Sequence, residues 1–178
     1  MNFTIRGIST IAAIAVAGPL MAAGPMVSSL ELNEMLAEGD VILLDVRGPA
    51  SGGSAEVYAE AHIPGAIYVP MTGGAPWRKE VNGVPFMLPS ADEIQAFARE
   101  MGIDNDTPVV VYSTGTDKKV ADLSSATRAY WTLKVMGHDE VSILNGGIES
   151  WKAAGLPTAM SATEPKGGGN FTAEFQPE

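Results

Sequence analysis

The sequence predicts an α/β fold: a single domain built on an open parallel sheet with helices on both faces. The first observation is that short aliphatic runs at residues 41–46, 66–69, 109–112 and 141–144 alternate with segments of helical spacing. Runs of this kind are typical of strands buried on both faces, and parallel strands need a helix between them. The second is the length of 178 residues, which suits one sizeable core but not two ordinary domains.

Composition excludes several classes of function. Lys and Arg number 11 against 21 Asp and Glu, a formal charge of −10 with no basic cluster, so nucleic acid is not expected as a partner. The chain has no cysteine, which excludes disulfides, thiolate metal sites and cysteine nucleophiles. His62 and His138 lie far apart without ligand-like spacing, so we expect neither a metal nor another cofactor.

The N-terminal segment, residues 1–27, has the pattern of an export signal. One basic residue, Arg6, precedes a short apolar stretch and then small residues, as in a secretory signal peptide. A second interpretation is a retained membrane anchor over residues 5–27, since about 20 apolar residues can span a bilayer. Both interpretations place the protein outside the cytoplasm, in the periplasm, either free or anchored in the cytoplasmic membrane.

Capping signals mark the helices that flank the strands. Ser29 is the expected N-cap of the first helix and Gly39 its C-terminal stop. Ser90 followed by Glu93 has the order of a capping box before an apolar stripe. Residues 126–135 continue with helical spacing, and Tyr130, Trp131 and Trp151 are assigned to the core.

Two stretches give no regular pattern. Residues 71–89 are expected to be a long loop that Trp77 and Phe86 pin to the body. Residues 158–178 are Gly-rich and are expected to be a flexible C-terminal tail, although the alternation of Phe171, Ala173 and Phe175 fits one short edge strand.

The candidate site follows from chain order. A buried strand, a polar loop and a helix in succession put the loop that begins at Ser113 at the carboxyl edge of the sheet, where open α/β folds bind ligands. Gly115 lies in this loop and allows an unusual backbone turn. Asp45 and Arg47 end the strand of residues 41–46 and are expected near the same edge, most simply as an ion pair that locks the fold.

The residues resemble a rhodanese domain. The matching pieces are LLDVR at residues 43–47, AHIPGAI at 61–67, VVVY at 109–112, ATRAYWTLKVMGH at 126–138 and VSILNGGIESWKAAGLP at 141–157. They occur in the family's order and place the domain at residues 28–157. The resemblance implies the rhodanese fold and an ancestry in sulfur transfer.

In that family, the residue after the VVVY strand is a cysteine that carries a persulfide sulfur, and the loop after it curls into an anion cradle. Ser113 occupies this position here, and a hydroxyl neither forms a persulfide nor ionises near neutral pH without an adjacent base. Arg128 resembles the family's arginine at the start of the next helix, facing either the pocket or an acid such as Asp45. The stretch from Ser113 to Arg128 is longer than the family's tight loop.

The leading interpretation is therefore a non-catalytic rhodanese-like domain that serves as a binding or scaffold subunit, with a larger membrane protein complex as a candidate partner. The residues expected to line a ligand site, for example for a small anion, are Ser113, Gly115, Arg128, Asp45 and Arg47. The alternative is a thiosulfate-type sulfurtransferase in which Ser113 replaces the cysteine.

Overall fold

The computed structural model describes residues 24–39, 41–74, 76–115 and 120–176. Its strands are β1 (Met26–Val27), β2 (Ile42–Asp45), β3 (Ile67–Tyr68), β4 (Lys79–Val81), β5 (Val84–Met87), β6 (Val109–Tyr112) and β7 (Val141–Leu144). Its helices are α1 (Ser29–Glu38), α2 (Ala55–Glu60), α3 (Ala91–Met101), α4 (Val120–Val135) and α5 (Gly147–Ala153), with a short 3-10 turn at Pro49–Ser51.

The central sheet has five strands in the order β1-β7-β6-β2-β3, and every pairing in it is parallel. Strands β2 and β6 lie side by side, with Ile42 opposite Val109 and Asp45 opposite Tyr112. Because parallel strands end at the same edge, the residues that follow β2 and β6 are brought together there. This confirms the predicted fold class.

Successive residues of each strand point to opposite faces of the sheet and supply two hydrophobic cores. Leu44 and Val111 face the core formed with α3 and α4, whereas Leu43 and Val110 face the core formed with α1 and α5. Helices therefore cover both faces, which explains why these strands are apolar throughout.

Helix ends follow the sequence signals closely. Ser90 accepts a hydrogen bond from the Glu93 amide in a complete capping box, and Gly39 ends α1 in the left-handed region. The N-cap of α1 is Ser28, one residue earlier than expected, and it also forms a capping box, with Glu31.

The domain begins earlier than the predicted boundary at residue 28. Met26 pairs with Ile143 and Val27 with Leu144 in the sheet, and Ser142 Oγ donates a hydrogen bond to the carbonyl of Gly24. Residues 24–27 therefore belong to the fold. The remainder of the predicted signal peptide or anchor, residues 1–23, lies outside the described residues. Within the residues that are described, no helix combines the length and apolar character needed to span a bilayer.

The expected loop of residues 71–89 contains an antiparallel hairpin of β4 and β5. Its turn is formed by Asn82 and Gly83, both with positive φ, and Asn-Gly is the strongest short-range signal for such a turn. Trp77 is fully buried as expected and donates from its ring N–H to the carbonyl of Val69. Phe86 differs from the expectation because its side chain is exposed.

Helix α4 begins at Val120, not near residue 126, so at most seven residues separate it from the end of β6 at Tyr112. The expectation of a loop extending to Arg128 was therefore wrong. Small and polar residues early in the helix hid its start from a search for apolar periodicity. Trp131, assigned to the core from its helical spacing, is 45 % exposed.

The C-terminal residues expected to form a flexible tail lie against the body. The amides of Gly167 and Gly169 donate to the carbonyls of Glu100 and Arg99 at the end of α3, and the amide of Glu174 donates to Met136 beyond α4. These acceptors lie at or just beyond the C-terminal ends of α3 and α4, where carbonyls accept from groups outside the helix. The segment thus supplies hydrogen-bond donors to carbonyls at the ends of α3 and α4. The predicted edge strand does not form at residues 171–175.

Candidate functional site

Asp45 and Arg47 form the polar centre of the carboxyl edge of the sheet. The Arg47 Nη2 atom lies 2.6 Å from Asp45 Oδ2, and both side chains are almost completely buried. Arg47 also donates to the carbonyl of Ala61 at 3.0 Å. Burial lowers the pKa of Arg47, but hydrogen bonding to Asp45 and its charge outweigh burial and raise that pKa overall. The pair has the geometry of the fold-locking interaction that the sequence favoured.

Tyr112, the last residue of β6, joins this pair to the neighbouring strand. Its hydroxyl donates to Asp45 Oδ2 at 2.8 Å and accepts from the amide of Ile63 at 3.3 Å. Burial, followed by the nearby charge of Asp45, raises the pKa of Tyr112 well above its ordinary value. The phenol is therefore a neutral structural donor, a role that the sequence did not indicate.

Ser113 follows Tyr112 directly and is buried, with 4 % of its surface exposed. Its carbonyl accepts a hydrogen bond from the Ile148 amide at 3.0 Å, and the carbonyl of Thr114 accepts from the Glu149 amide at 3.2 Å. Both donors lie in the first turn of α5. The loop is therefore held by its backbone against the start of that helix.

The Ser113 hydroxyl has no hydrogen-bond partner among the described residues. An oxygen nucleophile needs a base within hydrogen-bonding distance to remove its proton. His62 does not serve, since its ring nitrogens contact the carbonyl oxygens of Tyr58 and Ser161, at 2.7 and 3.1 Å. Among the described residues, the arrangement around Ser113 offers a buried hydroxyl without a base to activate it.

Glycines allow the loop and α5 to approach closely. A Cβ atom on Gly115 would lie 1.8 Å from the carbonyl oxygen of Gly146, and one on Gly147 would lie 2.3 Å from that of Ser113. Gly115 also has a φ of +85°, a conformation that other residues adopt at a cost. Gly115 therefore allows the loop to pack closely against the start of α5.

The 3-10 turn at Pro49–Ser51 supports the loop from the other side. The Thr114 hydroxyl donates to the carbonyl of Ser51 at 3.1 Å. Ser51 in turn hydrogen-bonds both backbone groups of Gly48 through its Oγ. The contact between Thr114 and Ser51 therefore joins residues far apart in the chain.

Arg128 does not approach Asp45. Its Nε donates to the carbonyl of Trp77 at 3.2 Å and its Nη2 to the carbonyl of Phe86 at 3.1 Å. Of the alternatives considered for Arg128, pairing with Asp45 is therefore excluded, since that carboxylate accepts from Arg47. Arg128 instead ties α4 to the hairpin of β4 and β5.

Of the predicted site residues, the structure brings together Asp45, Arg47, Ser113 and Gly115 at one edge and connects Arg128 to the hairpin. Within the described parts of the chain, no group of His, Asp and Glu side chains is arranged to hold a metal ion.

The sequence did not predict Tyr112 and the Gly146-Gly147 pair as parts of this site. The Gly-Gly pair at the start of a helix was the available signal, since consecutive glycines often mark a close backbone approach.

The chain is similar in sequence to one family model and to known sulfurtransferases. The family model for the rhodanese-like domain matches residues 28–154. The chain is 32 % identical over 152 residues to a 3-mercaptopyruvate sulfurtransferase of Escherichia coli, covering 83 % of this chain and 50 % of that protein. It is 36 % identical over 143 residues to a probable 3-mercaptopyruvate sulfurtransferase of Pseudomonas aeruginosa, covering 76 % of this chain and 47 % of that protein.

Among solved structures, a 3-mercaptopyruvate sulfotransferase of E. coli superposes with a TM-score of 0.69 at 28 % identity, covering 87 % of this chain and 58 % of that one. The 3-mercaptopyruvate sulfurtransferase of Leishmania major gives a TM-score of 0.65 at 23 % identity, covering 85 % and 41 %, which supports the fold. The chain spans about half the length of the curated relatives that it matches.

Proposed function

The chain belongs to the rhodanese-like domain family, and we propose that it is a member that binds a partner and does not transfer sulfur. The proposal rests on the absence of the group that sulfur transfer needs. Sulfur transfer in the family requires a thiolate to hold the persulfide, and this chain contains no cysteine at any position. The buried, unactivated hydroxyl of Ser113 does not replace that thiolate.

The frame around the former catalytic position is nevertheless intact. Asp45, Arg47 and Tyr112 form a closed hydrogen-bond network, and the loop carbonyls at Ser113 and Thr114 are held by α5. A fold kept in this state without its nucleophile supports a binding or scaffold role.

We also propose that the protein is exported and works as a subunit of a membrane complex. The support is the uncharged apolar stretch in residues 7–30 after a basic start, and the strongly acidic balance of the remaining chain. The proposal includes both forms of the N-terminal segment, a cleaved signal peptide and a retained anchor.

A small anion at the loop of residues 113–115 remains a further proposal. Neither candidate guanidinium group is available at this loop, because Arg47 is paired with Asp45 and Arg128 lies against the β4–β5 hairpin. An anion at this loop would therefore depend on backbone N–H groups, as in other backbone anion sites.

The catalytic half of the proposal is tested by assaying the purified wild-type chain for sulfur transfer to cyanide, with thiosulfate and 3-mercaptopyruvate as donors. We expect no turnover above the uncatalysed rate. The variant Ser113→Cys tests whether the retained loop can support transfer once a thiol is present, and Ser113→Ala is its matched control. Turnover by the wild-type chain would contradict the proposal.

The export half is tested in the native host by carbonate extraction of membranes and by reading the N-terminal residue of the mature protein. Recovery in the membrane pellet with Met1 retained indicates an anchor, and release with a new N-terminus indicates a cleaved signal. Recovery of the intact chain in the cytoplasm would contradict export.

A further inference from the structure

A line of alternating arginine and aromatic side chains runs from the β4–β5 hairpin onto α4. The Arg78 guanidinium carbon lies 5.2 Å from the Phe86 ring centre, and that of Arg128 lies 5.0 Å from the Trp131 ring centre. Arg128 also donates to the Phe86 carbonyl at 3.1 Å, which links the two halves. We call these four residues the arginine–aromatic surface.

The two aromatic rings are not buried by the fold. Phe86 is 57 % exposed and Trp131 is 45 % exposed, and Val84 and Met87 of the same strand β5 are also exposed. Large apolar groups gathered in one place mark interaction sites more often than single exposed residues do. Aromatic residues and arginine are also the types enriched at the centres of protein interfaces.

The backbone at Phe86 points to the same conclusion. Its φ is +62°, in the left-handed region that bulky residues seldom occupy. A strained residue normally gains burial or a bond for its side chain, but this ring lies outward, against Arg78 alone among the ring and cation contacts of the described residues. The strained backbone places the Phe86 ring at the surface and its carbonyl against Arg128, and strained conformations of this kind cluster at functional positions.

The positive charge of this surface comes from Arg78 and Arg128. Neither Arg78 nor Arg128 forms an ion pair with a carboxylate among the described residues, although the chain carries a formal charge of −10. The two guanidinium groups are close enough to repel each other. Burial is the larger cause that lowers the pKa of Arg128, and the positive charge of Arg78 lowers it further. Two neighbouring cations that have no ion pair among the described residues, on an acidic protein, form a site complementary to negative charge.

We propose that the arginine–aromatic surface docks an acidic segment of a partner protein, one whose carboxylates meet Arg78 and Arg128 and whose apolar side chains cover Phe86 and Trp131. Carboxylates pair well with guanidinium groups, and apolar side chains bury the exposed rings. Charge complementarity gives the contact its specificity.

Two other occupants fit the surface less well. A second copy of the chain would have to place this basic surface against itself in a two-fold dimer, which brings four guanidinium groups together. An anionic bilayer would attract the surface but repel the acidic remainder of the protein. A protein segment carries local negative charge without either difficulty.

The arginine–aromatic surface is the proposed site of the binding role, so the inference depends on that role. A chain that transferred sulfur could carry the same surface, so the sulfur-transfer assay and the test below succeed or fail separately.

The test uses short synthetic peptides that alternate glutamate with phenylalanine and leucine, compared with peptides of the same pattern in which lysine replaces glutamate. Binding to the chain is measured by fluorescence anisotropy, and the contact is located from amide NMR shifts. We expect the acidic peptide to bind more tightly than the lysine peptide. Its shifts are expected at residues 78–87 of the hairpin and 127–131 of α4.

Two variants and their matched controls give the decisive comparison. Arg78→Glu is expected to weaken the acidic peptide about fivefold and to strengthen the lysine peptide, whereas Lys152→Glu makes the same charge change on α5 and is expected to alter neither. Trp131→Ser is expected to weaken the acidic peptide about tenfold, whereas Leu30→Ser, on the exposed side of α1, is expected to have no effect. Arg78 makes no side-chain hydrogen bond among the described residues, so its replacement breaks no side-chain hydrogen bond in the hairpin.

Three results would overturn the proposal. The first is equal binding of the acidic and lysine peptides, and the second is NMR shifts confined to other surfaces. The third is binding to phosphatidylglycerol vesicles, or a concentration-dependent dimer, that Arg78→Glu and Trp131→Ser abolish while leaving peptide binding unchanged.

Discussion

Asp45 and Arg47, two residues apart at the end of β2, form a buried ion pair with an Nη2–Oδ2 distance of 2.6 Å. The carboxylate also accepts from the Tyr112 hydroxyl and from the Arg47 amide, so its oxygens are fully used. The guanidinium reaches across to the carbonyl of Ala61. One short sequence thus connects β2, β6 and the turn before β3.

Replacing Arg47 by Met is expected to lower the free energy of unfolding by about 3 kcal/mol or more, because it leaves the Asp45 carboxylate buried without its counter-charge. Urea unfolding followed by circular dichroism measures the change. The matched control is Lys152→Met, which breaks the exposed pair with Glu149 and is expected to cost no more than about 1 kcal/mol. Equal effects of the two replacements would show that the buried pair does not hold this edge of the sheet.

Replacing Ser113 by Ala is expected to leave stability unchanged or slightly raised. The Ser113 hydroxyl is buried and lacks a partner among the described residues, so its removal abolishes a desolvation cost without breaking a bond. Ser51→Ala is the matched control and is expected to cost about 1 kcal/mol, because the Ser51 Oγ both donates to and accepts from Gly48. A loss for Ser113→Ala as large as that for Ser51→Ala would reveal a bond to Ser113 in solution.

A comparison of alanine replacements at Gly115 and Gly39 separates the cost of backbone strain from the cost of steric crowding. Their φ angles are +85° and +86°, but a Cβ atom on Gly115 would meet the carbonyl oxygen of Gly146 at 1.8 Å, whereas one on Gly39 would meet nothing within 4 Å. Gly39→Ala is expected to cost about 1 kcal/mol from backbone conformation, and Gly115→Ala about 1 to 3 kcal/mol more because the loop and α5 must separate. Thermal unfolding measures both. Similar losses would indicate that the loop moves away from α5 at little cost.

His138 is expected to make stability depend on pH. It is fully buried against Phe171 and neither ring nitrogen has a hydrogen-bond partner among the described residues. Burial lowers the pKa of His138, although the nearby backbone of Thr107 opposes this effect. Between the lowered pKa and the ordinary value of about 6.5, the unfolded chain binds a proton that the folded chain does not, so stability falls as the pH drops through this range.

Urea midpoints measured from pH 7 downwards check this expectation, with His138→Phe as the variant that removes the titrating group. The variant is expected to flatten the pH dependence just below pH 6.5. Glu93 does not interfere, because its hydrogen bonds to Lys79 and Ser90 hold its pKa at about 2, so its contribution is lost only below about pH 4.3. An unchanged slope in the variant would assign the pH dependence to other groups.

Local features of the sequence were sufficient for the strands β2, β3, β6 and β7 and for several helix ends. The apolar runs of β2, β6 and β7 and the capping signals at Ser90 and Gly39 act over a few residues, so they could be interpreted without the fold. The Asn82-Gly83 turn was equally local, and the hairpin could have been predicted from it. The absence of cysteine also followed from the sequence and carries the proposed loss of sulfur transfer.

The tertiary structure decided which groups meet. Arg47 pairs with Asp45 and leaves Arg128 to the carbonyls of Trp77 and Phe86, a choice between two cations that depends on distances across the sheet. The glycine-rich end of the chain lies on the body because the carbonyls ending α3 and α4 need donors, which its composition does not reveal. Trp131 and Phe86 are hydrophobic in sequence but exposed in the fold. Composition and spacing fix the elements because these act locally, whereas partners and exposure depend on the packing of residues distant in the chain.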